Sequence, residues 1–242
     1  MSLDPAWVAD LAARTLAEDL GGPDGVDVTS VATIPADQID VVDLVARASG
    51  VVAGLPVARA VFAAVGVTDF QALVEDGAVV ERGDVLATIT GPTRALLTAE
   101  RSALNLISRA SGIATHTRRW ASVIAGTGAQ VLDTRKTTPG LRPLEKYAVR
   151  AGGGTNKRMG LYDVAMIKDN HKLAAGSITA AYEAVRSTFP DVPVQVEVTT
   201  VAEAVEAVTA SSTVVTSTWT GMSGKAARTR WKASATPPAA RM

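Results

Sequence analysis

The chain has 242 residues, of which 47% are hydrophobic but only 4% aromatic, so one or two domains with an aliphatic core are expected. The net charge is zero, which argues against a general nucleic-acid binder, and the absence of cysteine excludes disulfides and thiolate metal sites. No apolar run approaches the ~18 residues of a membrane span, so we predict a cytoplasmic protein without a membrane partner.

The first part of the chain mixes helical and strand patterns. Asp4 followed by Pro5 predicts a helix start, and apolar residues recur at helical spacing up to Gly21. Strand-like runs follow at 41–48, 67–74 and 85–90. Helices are predicted at 55–65 and from residue 94 to about Gly112. These patterns favour an α+β domain.

From residue 113 onward, strands and helices alternate. Predicted strands at 130–133, 164–168 and 194–198 precede predicted helices at 143–151, 178–188 and 201–209, respectively. Thr200 and Glu203 have the spacing of a capping box, and 211–215 could begin a further strand. Such alternation favours parallel strands, either in a barrel or in a doubly wound sheet.

Charged residues follow the ends of these strands. Asp133, Arg135 and Lys136 close the first strand, Lys168 closes the second, and Glu197 lies near the end of the third. Ligands of parallel α/β folds bind outside the carboxyl ends of the strands. Three consecutive charged strand ends therefore predict a functional rim.

A glycine run at 152–154 precedes two further cations, Lys157 and Arg158. The glycines suit either a helix C-cap with a flexible connection or the close approach of backbone N–H groups to an anion, and we favour the second. Guanidinium groups suit carboxylates, and lysines suit phosphates. We therefore predict a rim that binds a small polyanion through Arg135, Lys136, Lys157, Arg158 and Lys168.

Glu197 is the acid among these cations. Mg²⁺ takes one or two protein carboxylates and completes its shell with water and substrate phosphates, so Glu197 could serve a magnesium–diphosphate ligand. A salt bridge to one of the lysines explains the same spacing equally well.

Several motifs resemble those of quinolinate phosphoribosyltransferases. They are ERSALN (100–105) with SGIAT (111–115), DTRKTTPGLR (133–142), GGGTNKR (152–158), IKDNH (167–171) and VEV (196–198). The resemblance covers roughly residues 5–210. It implies transfer of a phosphoribosyl group from phosphoribosyl pyrophosphate to quinolinate, with release of CO2 and pyrophosphate and formation of nicotinate mononucleotide in NAD biosynthesis.

The same resemblance implies an α/β fold, with an N-terminal α/β sandwich domain at 1–112 and an incomplete α/β barrel at 113–215. It also implies a homodimer whose active sites are shared between subunits. Arg135, Arg158 and Lys168 would bind the quinolinate carboxylates, and Arg101 would reach them from the other subunit. The remaining substrate-binding residues implied are Thr134, Lys136, Lys157 and Glu197. Lys136, Lys168 and Glu197 are the implied catalytic residues, and Glu197 would lie near Mg²⁺ carried by phosphoribosyl pyrophosphate.

Two features depart from the family pattern. Lys157 stands where the family normally has His. The family also continues after Glu197 with a strand ending in Leu-Asp-Asn and a later Ser-Gly-Gly loop, whereas residues 214–219 contain no acid and no Ser-Gly-Gly follows. We therefore interpret 216–242 as an atypical tail, frame-shifted or disordered, behind a barrel truncated at its C-terminus.

Three hypotheses follow from these features. The first is an active quinolinate phosphoribosyltransferase. The second is a catalytically impaired relative that binds quinolinate or dimerises without turnover. The third is a related pyridine or molybdenum-linked phosphoribosyltransferase-like protein, against which the intact Lys168-Asp-Asn-His171 sequence argues.

Overall fold

A computed structural model describes residues 2–210, 212–216, 219–220 and 228–229. The described residues form two compact units, which meet in sequence between Asn156 and Lys157. No helix among them is long and apolar enough to cross a membrane.

The first unit carries five helices and five strands. They are α1 (Pro5–Leu20), α2 (Val28–Thr33), β1 (Ile39–Val45), β2 (Gly50–Val51), α3 (Leu55–Ala64), β3 (Asp69–Ala72), β4 (Val79–Val80), β5 (Val85–Pro92), α4 (Thr93–Val123) and α5 (Arg142–Ala151). The start of α1 is as predicted, because the Asp4 side chain accepts a hydrogen bond from the Ala6 N–H. Gly21 ends the helix at a left-handed φ of 77°.

An antiparallel sheet in the order β1-β5-β3 lies in this unit, and Ile89 of β5 pairs with Val42 of β1 and Phe70 of β3. Its buried residues share one apolar core with α1, α3, α4 and α5. The strand runs predicted at 41–48, 67–74 and 85–90 and the helix at 55–65 are confirmed to within a few residues.

Helix α4 does not end at Gly112, as the sequence predicted, but continues to Val123. The buried residues Ile113, Ala114 and Thr117 extend its apolar stripe beyond the glycine. A single glycine costs a helix about 1 kcal/mol, which such packing outweighs. The predicted domain boundary at 112/113 therefore falls inside a helix.

The strand predicted at 130–133 is reduced to a single bridge between Leu132 and Thr155. The Thr155 N–H donates to the Val131 carbonyl, and the Asp133 N–H donates to the Thr155 carbonyl. Because the residues before Thr155 cap α5, only Thr155 is left extended beside this segment. The prediction of a full strand was therefore wrong.

The second unit carries β6 (Ala165–Ile167), α6 (Asp169–Ala175), α7 (Ile178–Thr188), β7 (Val194–Val198), α8 (Val201–Thr209), β8 (Thr213–Thr216), β9 (Trp219–Thr220) and β10 (Arg228–Thr229). Strands β6, β7 and β8 form a parallel sheet in that order, as the alternation predicted, and its apolar core is separate from the first. Strands β9 and β10 pair antiparallel.

The bounds predicted for α7, β7 and α8 match those of the structure, and Thr200 and Glu203 form the predicted capping box. Helix α6 was not predicted, because its sequence is the charged run that follows Lys168. Most of the predicted tail, 216–242, lies outside the described residues, so its interpretation stays a prediction.

Candidate active site

The first candidate element is the 133–141 loop, which joins the Leu132 bridge to α5. It begins with Asp133, whose side chain turns into the interior and not toward a ligand. Asp133 Oδ1 lies 2.6 Å from Lys146 Nζ, and the two side chains are 3% and 1% exposed. The sequence grouped Asp133 with the charged residues expected to bind ligand. In the structure it instead attaches the start of the loop to Lys146 of α5.

Asn156 completes this buried network. Its Nδ2 donates to Asp133 Oδ2 at 2.7 Å and to the Lys146 carbonyl at 2.8 Å. Both oxygens of the Asp133 carboxylate are therefore hydrogen-bonded. A buried carboxylate needs such partners, because an unpaired charge in the interior is very costly.

A second network holds the other end of the loop. The Thr138 N–H donates to both Glu145 oxygens at 3.3 Å, and Arg109 donates to Glu145 Oε1 and to the Thr138 hydroxyl. Glu145 is buried. Arg142 Nε donates to the Thr137 hydroxyl at 3.0 Å. Both ends of the loop are thus attached to α5.

The middle of the loop carries the predicted ligand-binding residues. The Thr134 hydroxyl accepts a hydrogen bond from the Lys136 N–H at 3.1 Å. This contact of Thr134 is therefore made within the loop itself. Arg135 Nε is enclosed but has no hydrogen-bond partner among the described residues. Buried donors of native proteins are normally satisfied, so this guanidinium suits an anionic ligand.

The glycine run does not serve the purpose that we favoured from the sequence. The N–H groups of Gly152, Gly153 and Gly154 donate to carbonyls of the last turns of α5, so they are not available to an anion. A Cβ at Gly152 would lie 2.3 Å from the Ala114 carbonyl oxygen. The run is a helix C-cap packed against α4, which was the alternative interpretation.

Arg101 lies on the exposed side of α4. It lines a cavity of about 750 Å³ together with Arg47, Glu100 and Asn105. Its predicted contact with a ligand of another subunit stays a prediction.

The second unit brings together Lys157, Arg158, Lys168 and Glu197. Burial, repulsion by Arg158 and repulsion by Lys168 lower the pKa of Lys157, and attraction by Glu197 opposes them. Arg158 donates to the Val164 carbonyl at 3.3 Å, ahead of β6. We name these four residues the unit-2 cluster. A group of cations that lowers the pKa of one of its members is suited to an anionic ligand.

Lys168 Nζ lies 2.9 Å from Glu197 Oε2, and both side chains are accessible to solvent. The salt-bridge interpretation of Glu197 is therefore confirmed. Among the described residues there is no group of three or more His, Asp or Glu side chains that could hold a metal. A single carboxylate fits a magnesium ion that arrives with a diphosphate, and it does not fit a metal held by the protein alone.

Sequence reasoning missed the residues that support these groups. Lys172 donates to the Glu197 carbonyl at 3.3 Å and to Glu203 at 2.8 Å. Glu145, Lys146 and Asn156 were missed as well. Local sequence offered no signal for them, because a charged or polar side chain does not by itself show whether it will be buried.

Comparison with known proteins decides the family. The family model of the quinolinate phosphoribosyl transferase N-terminal domain matches residues 27–111. The family model of the C-terminal domain matches residues 113–231. This chain belongs to the quinolinate phosphoribosyltransferase family. The C-terminal match extends past residue 215, where the sequence analysis ended the barrel.

Curated relatives of the family are similar to much of this chain. The chain is 50% identical over 192 residues to a nicotinate-nucleotide pyrophosphorylase [carboxylating] of Mycobacterium leprae, covering 78% of the chain and 67% of that protein. It is 48% identical over 166 residues to a probable nicotinate-nucleotide pyrophosphorylase [carboxylating] of Synechocystis, covering 68% and 56%. The matched segment thus spans between about half and two thirds of these relatives.

A solved structure of the family has the same fold. NadC from Streptococcus pyogenes superimposes with a TM-score of 0.82 at 39% identity, covering 88% of this chain and 75% of that one. The predicted fold, an N-terminal α/β sandwich domain with an incomplete α/β barrel, is thereby confirmed. Where the two domains meet stays a prediction.

Proposed function

We propose that this chain transfers the phosphoribosyl group of phosphoribosyl pyrophosphate to quinolinate and releases CO2 and pyrophosphate. The observation that carries the proposal is the unit-2 cluster, in which three cations gather around one carboxylate in a chain of zero net charge. Membership of the family supplies the reaction that such a cluster would serve.

The reaction has two bond exchanges. The ring nitrogen of quinolinate forms a bond to C1 of the ribose, while the C1–O bond breaks and pyrophosphate leaves with the electron pair. The carboxyl group beside the nitrogen then leaves as CO2, and its ring carbon keeps the electron pair and takes up a proton. The product is nicotinate mononucleotide.

Each residue has a proposed part in this sequence. Arg135, Arg158 and Lys168 bind the quinolinate carboxylates, since guanidinium and ammonium groups pair with carboxylates. Lys157 adds positive charge beside Arg158 and Lys168. Fixing the carboxylates matters because positioning of reactants supplies a large part of enzymatic rate enhancement.

Lys136, Thr134 and Glu197 are the residues that we propose to contact phosphoribosyl pyrophosphate. Departure of pyrophosphate leaves positive charge on the ribose, which the Glu197 carboxylate would stabilise electrostatically. Mg²⁺, when bound with the diphosphate, would neutralise charge on the leaving group. Glu197 is the side chain that we propose near this ion.

We also propose a cytoplasmic homodimer, in which Arg101 of one subunit reaches the quinolinate bound by the other. The exposed position of Arg101 on α4 supports this part. A complementation assay tests it. Chains with Arg101→Ala and chains with Lys168→Ala, each inactive alone, should regain activity when mixed, because mixed dimers contain one intact site. No regain in a verified mixed dimer would contradict shared sites.

The test of the main proposal is formation of nicotinate mononucleotide from quinolinate, phosphoribosyl pyrophosphate and Mg²⁺. We expect turnover in the range common to enzymes, about 1–1000 s⁻¹. The control is Glu197→Gln, which keeps the shape of the side chain and removes its charge. Folded protein that binds quinolinate calorimetrically but makes no product would favour the non-catalytic relative, which no observation on the described residues favours at present. Folded protein that binds no quinolinate would overturn the proposal.

A further inference from the structure

Two consecutive residues of α5 hold the two ends of the 133–141 loop. Lys146 pairs with Asp133 at the start of the loop, and Glu145 accepts the N–H of Thr138 near its end. We propose that Glu145 and Lys146 are positioning residues, which set the location of Arg135 and thereby the affinity for quinolinate. This inference rests on the proposed function.

The geometry of a helix explains how one helix can hold both ends. Consecutive residues of an α-helix point roughly 100° apart around its axis. Glu145 and Lys146 can therefore reach two separate points of the loop from adjacent positions. Gly140, with a left-handed φ of 78°, lets the chain turn back into α5.

The loop uses nearly all its polar side chains for this attachment except those proposed to bind ligand. Asp133 pairs with Lys146 and Asn156, Thr138 with Arg109, and Thr137 with Arg142. Arg135 Nε, between these anchors, is enclosed and has no hydrogen-bond partner among the described residues. The loop is thus fixed on both sides of Arg135, a half-buried side chain whose Nε has no hydrogen-bond partner among the described residues.

The chemistry of the anchors favours a geometric role over a purely stabilising one. Well-packed apolar residues in place of a buried ion pair are often as stable or more stable. A charged pair, however, accepts only a narrow range of distances and directions. Here Arg109 further restricts Glu145, donating through Nε at 2.9 Å. Two such anchors define where Arg135 can lie.

The test uses Glu145→Gln in the full chain, with quinolinate as the probe. Arg109 and the Thr138 N–H both donate to the Glu145 carboxylate. Because Gln offers them only one acceptor oxygen, the end of the loop should become less firmly held. We expect the dissociation constant for quinolinate to rise about tenfold to a hundredfold, the effect typical of a small misplacement. KM for quinolinate should rise more than kcat falls. Circular dichroism would confirm that the variant is folded.

Tyr147→Phe is the matched control on the same helix. The Tyr147 hydroxyl donates to Asp76 at 2.6 Å, and Asp76 in turn accepts the Gly54 and Leu55 N–H groups at the start of α3. The control therefore removes a hydrogen bond of a half-buried residue of α5 without touching the loop. We expect its melting temperature to fall while its quinolinate affinity stays unchanged.

The outcomes separate this inference from the proposed function. If the unmodified chain binds quinolinate and folded Glu145→Gln binds it equally well, the positioning role is wrong. If the unmodified chain, folded, binds no quinolinate, both the proposed function and this role fail. Should Glu145→Gln not fold, Thr138→Val removes only the hydroxyl at the same anchor. Unchanged affinity in that variant would overturn the role, and weaker binding would support it.

Discussion

Lys146 Nζ and Asp133 Oδ1 lie 2.6 Å apart, and neither side chain is more than 3% exposed. The two residues are thirteen positions apart in the chain. Their pairing turns the carboxylate of the DTRKTTPG motif inward, away from Arg135 and Lys136, the two residues of that motif that we propose to bind ligand. Breaking the pair should lower the folding stability of the first unit, which contains both residues.

Lys146→Met should destabilise the fold by about 3–5 kcal/mol, because it leaves the buried Asp133 charge without its cation. The measurement is the free energy of unfolding from urea denaturation. Arg14→Met is the control, since Arg14 and Asp10 form an exposed pair at 2.8 Å that should contribute less than about 1 kcal/mol. Equal losses in the two variants would show that Asp133 is hydrated. The double variant Lys146→Met with Asp133→Asn should recover part of the loss.

A second prediction concerns acid stability. Hydrogen bonds from Lys172 and from Thr199 lower the pKa of Glu203 to about 2 from its ordinary value of 4.5. The ionised carboxylate therefore stabilises the fold fully above about pH 4.5, and this contribution is lost as the pH falls toward 2. Because Glu203 is partly exposed, we expect the contribution to be on the order of 1 kcal/mol.

Glu203→Gln should lose less stability than the unmodified chain when the pH falls through this range. Glu183→Gln, an exposed position of α7, is the control and should follow the unmodified chain. The measurement is the melting temperature in a series of buffers between about pH 5 and pH 3. Identical pH profiles for all three proteins would contradict the lowered pKa.

Local signals explain which elements could be predicted from the sequence. Helices α1 and α8 begin at capping residues, Asp4 and Thr200, and carry apolar residues at regular spacing, so their starts were read correctly. Gly112 misled the prediction for α4, because the packing that outweighs a glycine comes from distant residues. The strand at 130–133 failed for a similar reason, since a strand needs a partner that local sequence does not specify.

The candidate site shows the same division. Arg135, Arg158 and Lys168 are cations whatever the fold, so their suitability for an anionic ligand could be predicted from the sequence. Their motifs could also be recognised without a structure. The Lys146–Asp133 pair could not, because a lysine in a helix gives no sign that it is buried. The prediction that the glycine run approaches an anion was wrong, because its N–H groups donate to carbonyls of α5. That arrangement depends on how the run packs against α4, which local sequence does not specify.

A third prediction tests the proposed ligand of Arg135. Arg135→Lys keeps the positive charge but removes the planar fork and the enclosed Nε. We expect quinolinate to bind about tenfold to a hundredfold more weakly, as for loss of a hydrogen bond to a charged group. Calorimetry gives the dissociation constant. Arg150→Lys, at the exposed end of α5, should bind as the unmodified chain does. Undiminished affinity in Arg135→Lys would remove Arg135 from the binding site.

Lys157 should show opposite effects on stability and on binding. Burial and the charges of Arg158 and Lys168 lower its pKa, so the protonated amine destabilises the ligand-free fold at neutral pH. Lys157→Met should therefore raise the free energy of unfolding by about 0.5–1 kcal/mol, a gain common where function opposes stability. The unmodified chain should approach the variant as the pH rises from the lowered pKa toward 10.5, the ordinary value for lysine.

The same substitution should weaken quinolinate binding about tenfold, because an anion loses one of its cations. Urea denaturation with and without quinolinate measures both effects, since a ligand that binds only the folded state adds stability in proportion to its affinity. Lys172→Met is the contrast within the same unit. Lys172 is paired with Asp169 and Glu203 at 2.8 Å, so its loss should destabilise the fold. If Lys157→Met destabilised the ligand-free protein as Lys172→Met does, Lys157 would be a structural cation, and its place among the ligand-binding residues would be wrong.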